Sequence, residues 1–289
     1  MSPELLALAG ITLIAATING ALGYGFSSIT VPLALFFFTN RILKPALVLL
    51  EVALNANVLW VNRAKLHAVR RRVMPIIVGL VPGVIVGTWL LKFVNPGWIK
   101  LSTYIAVLPL ILMQASGFRR PIKAEGKANL AFGTGVGVLY SVTTISGPPL
   151  AIMLNNQGFV KQEFRAGLSL VRLAESSFTA VAYYFAGIYT LQRFKLIPYI
   201  FPSIIVGVPL GSFIIHRMSA ETFRRICMSF DAWIVGFGLS SVLRDLKIIQ
   251  GTRAYGVMAV VIAIDLVLLY RFFRARRAGA VSAEVVSPA

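Results

Sequence analysis

Hydrophobic runs divide the chain into nine apolar segments, and short polar stretches rich in Lys and Arg separate them. The segments cover residues 3–38, 44–62, 74–92, 98–116, 128–157, 164–188, 195–215, 224–243 and 254–272. Most are close to the ~20 residues that a helix needs to cross a bilayer. Inside a bilayer only helices and closed barrels satisfy the backbone, and the chain lacks the alternating ~10-residue segments of a barrel. The pattern therefore predicts an all-α polytopic membrane protein.

Two of the segments, 3–38 and 128–157, are too long for one crossing. A straight helix of about 30 residues would reach ~45 Å, whereas the hydrocarbon core is ~30 Å thick. Both segments carry Gly, Ser, Thr and Pro near their middles. Each is therefore expected to form two half-helices joined by an irregular break.

The two long segments also begin an internal repeat. The stretch "ITVPLAL" (29–35) matches "SGPPLAI" (146–152), and residues 83–102 can be aligned with residues 207–226. We predict a first transmembrane repeat over 1–117, a cytoplasmic linker over 118–127, and a second repeat over 128–245. Each repeat contains a Gly/Pro-broken helical hairpin plus three transmembrane helices. An extra transmembrane helix with a basic cytoplasmic tail follows over 246–289.

The distribution of basic residues predicts the orientation. If 128–157 crosses once, about 14 Lys and Arg lie inside and about 13 outside; if it turns back as a hairpin, the numbers are about 18 and 9. The positive-inside rule favours the hairpin. The predicted cytoplasmic parts are loops 63–72, 117–127, 158–163 and 216–223 and the C-terminal tail. The N-terminus is then periplasmic and the two repeats are inverted, as in many secondary transporters.

Composition supports the membrane assignment and excludes other classes. The chain is 57% hydrophobic and 13% charged, about half the charge of a typical soluble domain. Its net charge of +18 comes from clusters between apolar runs, so we expect a lipid bilayer and no nucleic acid as partner. The single Cys227 excludes an intramolecular disulfide. The chain has no metal motif, no nucleophile–base pair and no phosphate loop, so we predict no metal, no cofactor, no catalytic residue and no enzyme.

The breaks are the first candidate site. Ser146 suits an N-cap, and Pro148 or Pro149 suits the first turn of a half-helix. In the first repeat, glycines loosen the backbone, Ser27, Ser28 or Thr30 can cap, and Pro32 is expected within the first turn. Two half-helix N-termini that meet would present free N–H groups and partial positive charge to an anion. The alternative is that these small residues only permit close helix packing.

Polar residues inside the spans are the second candidate. Glu51, Asn55 and Asn62 fall near one helix face. Intramembrane ionisable residues usually face a bundle interior or a wet cavity. A second stripe comprises Arg165, Arg172, Ser176, Thr179 and Tyr183, with Glu175 at its edge. The alternatives are a local Arg172–Glu175 ion pair and snorkelling of Arg165. Asp231 and Asp265 are isolated acids, and Asp265 is expected to be a helix-contact residue.

The two broken segments in a duplicated layout resemble the TauE/SafE family of sulfite and organosulfonate exporters. "SGPPLAIMLNNQG" (146–158) carries the most specific similarity, which covers about residues 5–245. The first break departs from the family's richer glycine run and has only Gly23-Tyr-Gly25. The resemblance implies transport of small sulfur-containing anions across the bacterial inner membrane.

We therefore predict a multi-pass inner-membrane secondary transporter that exports sulfite or organosulfonates by alternating access. An anion channel and a membrane scaffold without transport stay open as alternatives, and so does assembly as a homodimer. The predicted substrate-binding residues are Asn19, Gly23, Gly25, Ser27, Ser28, Thr30, Pro32, Thr143, Thr144, Ser146, Gly147, Pro148 and Arg172. The predicted coupling or cavity-lining residues are Glu51, Asn55 and Glu175.

Overall fold

The computed structural model describes residues 3–116, 126–157, 159, 161–189, 194–217 and 220–277. These residues form eleven α-helices and two short 3-10 helices, Arg63–Lys65 and Gly251–Tyr255. The first five α-helices are α1 (Pro3–Leu22), α2 (Phe26–Ala34), α3 (Asn40–Val61), α4 (Leu66–Phe93) and α5 (Pro96–Ala115). The other six are α6 (Gly126–Thr143), α7 (Gly147–Asn156), α8 (Lys161–Phe185), α9 (Ile197–Arg217), α10 (Ala220–Asp245) and α11 (Gly256–Arg277).

The all-helical prediction is confirmed, and both long apolar segments are broken where Gly, Ser, Thr and Pro cluster. One boundary is wrong. The basic stretch 63–72, expected to be a loop, is mostly the first two turns of α4. Its apolar residue Val69 is buried, as is Val73 one turn later. The helix therefore extends past the apolar segment, because its arginines are good helix formers that can stay at the exposed surface.

Five helices in the described residues are long and apolar enough to cross a membrane. They comprise Pro3–Leu22, Ile42–Val61, Arg63–Phe93, Ile197–Ile214 and Gly251–Ala275. Large apolar side chains such as Trp89, Phe213 and Tyr270 are exposed on the outside of the bundle. Such an apolar exterior is the surface that lipid requires, and it supports a multi-pass membrane protein.

The second broken segment turns back on itself. Gln157, just past α7, donates from its side-chain amide to Asn129 Oδ1 near the start of α6, at 2.8 Å. The Gln157 backbone carbonyl also accepts a hydrogen bond from Arg72, near the start of α4, at 2.6 Å. The end of α7 therefore lies beside the start of α6, so α6 and α7 form the hairpin that the charge distribution favoured.

The two halves of the chain exchange helices. Helix α1 packs against α9 from the second half, and α6 packs against α4 from the first half. Helices α3 and α8 pack against each other, as do α5 and α10. The main helix–helix contacts therefore join one half of the chain to the other.

Glycines allow the exchanged helices to approach closely. A Cβ atom on Gly79, Gly83 or Gly133 would overlap a backbone carbonyl oxygen across the α4–α6 contact, and one on Gly137 would lie 2.6 Å from the Leu80 carbonyl oxygen. On the α1–α9 contact, Gly20 and Gly211 are crowded in the same way. In lipid there is no hydrophobic force between apolar helices, so close backbone packing of small residues replaces it.

An ion pair attaches the extra helix α11 to the bundle. Arg225 on α10 donates to Asp265 Oδ1 on α11 at 2.8 Å, and the indole N–H of Trp233 donates to Asp265 Oδ2 at 3.0 Å. Both members of the ion pair are buried. Asp265 is therefore a helix-contact residue, as the sequence suggested.

We expect Asp265→Ala to lower the free energy of unfolding by about 3–5 kcal/mol, because Arg225 is left charged and buried without a partner. The exposed Arg244–Asp245 pair, at 3.5 Å, provides the matched control. Asp245→Ala should cost less than about 1 kcal/mol. Thermal unfolding of the purified protein in detergent measures both losses. Equal losses would show that the buried ion pair stabilises the protein no more than the exposed pair.

Candidate functional site

Both breaks contain backbone that ordinary helices do not adopt. In the first, Gly23 and Gly25 have φ angles of 82° and 107°. Glycine adopts this region freely because it has no Cβ. In the second, Thr144 has φ 59°, a costly conformation for a β-branched residue that needs support from its surroundings. The Thr143 hydroxyl provides part of that support by accepting from the Ile145 N–H at 3.0 Å.

The capping prediction is wrong for the first half-helix. Helix α2 begins at Phe26 after Gly25, which has no side chain to cap it. Ser27, Ser28 and Thr30 therefore lie inside the helix. Pro32 is its seventh residue, beyond the first turn. The glycine pair ends α1 and starts α2 within three residues, so the new helix begins before the hydroxyls.

The second half-helix begins as predicted, with one difference. Ser146 directly precedes α7, and Pro148 and Pro149 lie in its first turn. The Ser146 hydroxyl, however, donates to Glu175 Oε2 at 2.5 Å. The two prolines also lack N–H groups, so Gly147 supplies the only backbone donor among the first three residues of α7. Helix α2 has three such donors. The N–H groups of Phe26, Ser27 and Ser28 lie in its first turn, where no carbonyl of the helix is available to accept from them.

The two breaks lie next to each other. A Cβ on Gly147 would lie 3.2 Å from the ring of Tyr24, which stands between the two glycines of the first break. The Ala21 carbonyl at the end of α1 accepts from Arg165 on α8 at 3.0 Å. Arg165 is thus held by a helix C-terminus.

Beside the breaks, Glu51 on α3 receives three donors. Ser27 Oγ donates to Oε1 at 2.5 Å, Tyr140 OH donates to Oε2 at 2.5 Å, and Arg172 Nη2 binds Oε1 at 2.8 Å. Both Glu51 and Arg172 are buried. Arg172 therefore pairs with Glu51 across helices, and the local Arg172–Glu175 ion pair considered from the sequence does not form.

The second glutamate occupies the equivalent place in the other half. Glu175 follows Glu51 by 124 positions, the same offset that relates residues 207–226 to 83–102. In each half a serine at the break donates at 2.5 Å to the glutamate of the next long helix, as Ser27–Glu51 and Ser146–Glu175. The arrangement is thus duplicated, but the single Arg172 contacts only Glu51.

The polar stripes are only partly brought together. Asn55 lies at the site, where its side-chain amide donates to the Arg172 carbonyl at 3.4 Å. Asn62 lies at the end of α3 and donates to the Val58 carbonyl. Ser176 donates to the Arg172 carbonyl and Tyr183 to the Ser141 carbonyl.

Several buried polar atoms in the described residues have no hydrogen-bond partner. Among the predicted site residues and their neighbours they include both side-chain atoms of Asn19, the Thr30 and Thr179 hydroxyls, Arg172 Nε and Nη1, Glu175 Oε1 and Asp231 Oδ1. Buried polar groups are normally satisfied, so the free nitrogens of Arg172 are open to water or a ligand. Other predicted donors are already bound: Ser28 and Thr144 donate to the backbone carbonyls of Gly25 and Thr143.

Three residues at the site were missed from the sequence. Tyr140 donates to Glu51, Lys44 donates to the Val142 carbonyl, and Asp231 interacts with the Ser28 hydroxyl. A lysine at the edge of an apolar segment was a visible signal, because charge is costly there. Tyr140 gave no such signal. Among the described residues no group of three or more His, Cys, Asp or Glu could hold a metal. The side chain of Cys227 lies outside the described residues.

Charged side chains buried where two broken helices meet are typical of membrane transporters. A sequence profile of the family described as Sulfite exporter TauE/SafE matches residues 8–239, and the chain belongs to this family. The resemblance inferred from the sequence is thus confirmed, and helix α11 lies beyond the matched region. Neither the curated proteins nor the solved structures gave a match. The family consists of transporters, so the chain is a membrane transporter of the sulfite or sulfonate exporter type.

Proposed function

We propose that the protein is a secondary transporter that exports small sulfur-containing anions, such as sulfite or organosulfonates, across the bacterial inner membrane by alternating access. The observation that carries this proposal is Arg172. Its guanidinium is buried beside both breaks, and Nε and Nη1 have no partner. Each of these nitrogens can donate a charge-assisted hydrogen bond to an oxygen of a sulfite or sulfonate group, and either forms a planar fork with Nη2 when Glu51 releases it.

The other donors at the breaks complete the proposed site. The N-terminal turn of α2 offers backbone N–H groups, and Asn19 and Thr30 carry unpartnered side-chain atoms. Helix dipoles contribute about 0.3–1 kcal/mol each at exposed sites and up to ~2 kcal/mol when partly buried. An anion held mainly by Arg172, with modest help from one helix terminus, binds weakly enough to be released. The predicted roles of Gly147 and Pro148 are then to bring the backbone of the second break close.

Inverted repeats are supported by the directions of the helices. The end of α1 lies at the start of α8, through Arg165 and Ala21. The start of α6 lies at the end of α7, which α8 follows, through Asn129 and Gln157. The first and second hairpins therefore enter from opposite sides.

Two apolar clefts on the bundle surface also support a repeat relation between the two halves of the chain. One, of about 630 Å³, lies between α4 and α8; the other, of about 420 Å³, lies between α3 and α9. Val81 and Val84 line the first, and Ile205 and Val208, 124 positions later, line the second.

Alternating access is supported by the closed state of the site. One apolar core lies mainly on α4, α6, α7 and α8, and a second lies mainly on α1, α2, α3, α5, α9 and α10. A third, smaller core spans α3, α4, α5, α6 and α8, and together with the Glu51–Arg172 pair it connects the first two. A rocking motion of one core against the other would expose the site to each side in turn.

Counterflow in proteoliposomes tests this proposal. Vesicles that contain the purified protein and unlabelled sulfite, sulfoacetate or thiosulfate should transiently accumulate the same labelled anion from outside, and chloride should not substitute. An anion channel gives flux without this overshoot. A scaffold gives no flux, and the proposed function fails if none of the three anions is carried.

The topology is tested by cysteine accessibility after Cys227→Ser. We expect an introduced Cys at Glu163 to react only from the cytoplasmic side, like one at Arg71, whereas a Cys at Gln250 should react from the periplasm. The expectation follows from the excess of Lys and Arg on the predicted inner side. Labelling of position 163 from the periplasm would mean a single crossing at 128–157 and parallel repeats.

A further inference from the structure

Two buried carboxyl groups, Glu51 and Glu175, lie within electrostatic reach of one buried guanidinium, Arg172. Glu51 and Glu175 are 0% exposed and Arg172 is 2% exposed. An ionised carboxylate that is buried without a partner costs several kcal/mol. One guanidinium can neutralise one carboxylate, so the two glutamates cannot both be ionised at low cost.

The contacts of the two glutamates are unequal. Glu51 accepts hydrogen bonds from Ser27, Tyr140 and Arg172, which favours its ionised form. Glu175 accepts one hydrogen bond, from Ser146, and its Oε1 has no partner. The geometry therefore assigns the negative charge to Glu51 and a proton to Glu175.

The neighbouring charged groups do not change this assignment. Glu51, Tyr140, Arg172 and Glu175 act on one another electrostatically. Lys44 Nζ donates to the Val142 carbonyl and Lys100 Nζ donates to the Leu35 carbonyl. Asp231 lies at the Ser28 hydroxyl.

We propose that Arg172 neutralises one anion at a time, so that each transported anion moves together with a proton. This inference rests on the proposed function. At rest the cluster holds one proton, on Glu175. When a substrate anion binds Arg172, Glu51 leaves the guanidinium and takes a proton from water on the open side. On the other side the anion leaves, the proton returns to water, and Glu51 binds Arg172 again.

Infrared difference spectroscopy of the full-length protein in detergent reads the resting proton directly. We expect the wild type to show the C=O band of a protonated carboxyl group that Glu175→Gln removes. Glu51→Gln should remove it too, because Arg172 then pairs with Glu175, which ionises. Asp231→Asn, a change at the buried acid beside the Ser28 hydroxyl, should remove only a band of its own and leave the Glu175 band in place.

The pH dependence of counterflow reports on the second proton, the one that Glu51 takes up when the anion binds. With methanesulfonate, which stays ionised, the half-maximal concentration should rise about tenfold per pH unit between about pH 6 and 8, since one proton binds with each anion. Either single glutamine variant retains one carboxyl group and should keep this slope. The double variant Glu51→Gln/Glu175→Gln should lose it. Sulfite is measured in parallel. Its own protonation changes with pH in the same way for every variant, so a difference between variants comes from the protein.

A wild-type carboxyl band that Glu175→Gln leaves at full intensity, or a pH slope that survives in the double variant, would overturn the proposal. If Glu51→Gln does not fold, Glu175→Gln still decides, because it leaves the Arg172–Glu51 pair intact. Failure of the proposed function is a separate result: wild-type vesicles would then carry no sulfur anion, while the infrared band still reports whether the glutamates share Arg172.

Discussion

Replacing Arg172 with Gln is expected to lower sulfite counterflow by about 100-fold or more. Charge-assisted hydrogen bonds to a buried anion are worth about 1.5–3 kcal/mol each, and the variant removes all those that the guanidinium can donate. It also leaves the buried Glu51 without its cation, a loss of about 3–5 kcal/mol in unfolding free energy. Flux per folded protein must therefore be measured together with thermal stability.

A double variant separates these two effects. Arg172→Gln combined with Glu51→Gln removes both charges, so stability should recover while counterflow stays lost. Arg172→Lys keeps the charge but lacks the planar fork, and we expect intermediate flux. Normal counterflow in the folded double variant would place the anion elsewhere, and Arg172 would then be only a partner of Glu51.

The second large effect concerns the close contact of α4 and α6. We expect Gly137→Val to cost about 3 kcal/mol, at the upper end of overpacking penalties. Its Cβ would lie 2.6 Å from the Leu80 carbonyl oxygen and 3.1 Å from the Gly83 Cα atom. These are backbone atoms, which cannot rotate away as a side chain can, so the two helices must separate.

Gly135→Val is the matched control, because it lies on the same helix with no atom within 4 Å of its would-be Cβ. It should leave the melting temperature in detergent nearly unchanged or slightly raised, since valine faces lipid there and is a better helix former than glycine. Equal melting temperatures for the two variants would contradict the close approach of α4 and α6.

The backbone of the site followed from local sequence rules. Two segments were too long for one crossing and carried Gly23, Gly25 and the pair Pro148–Pro149 where the breaks lie. Buried charge was also visible, since Glu51, Arg172 and Glu175 stood in apolar runs. These signals depend on what each residue type does by itself in a helix or a membrane.

The pairing of the side chains did not follow from the sequence. Glu175 is three residues from Arg172, but Glu51, 121 positions away, is its partner. The hydroxyls of Ser27 and Ser146 were expected to cap helices, yet both reach a glutamate on another helix. Such choices depend on which helices become neighbours, and periodicity along one helix does not contain that information. The 124-residue offset between the glutamates was present in the sequence and was the one signal that could have linked them.

The exchange of helices between the two halves has a consequence for biosynthesis. The ribosome delivers α4 before α6, so the second hairpin finds its glycine-lined partner already in the membrane. Helix α1 must wait, because Gly20 contacts Ser212, 192 positions later. Contacts between residues this far apart in sequence form late, and until they form the packing surfaces of the helices have no partner. Until α9 is inserted, the close-packing face of α1 must be shielded by lipid or by an insertion chaperone, and the nascent chain is most vulnerable to degradation during that interval.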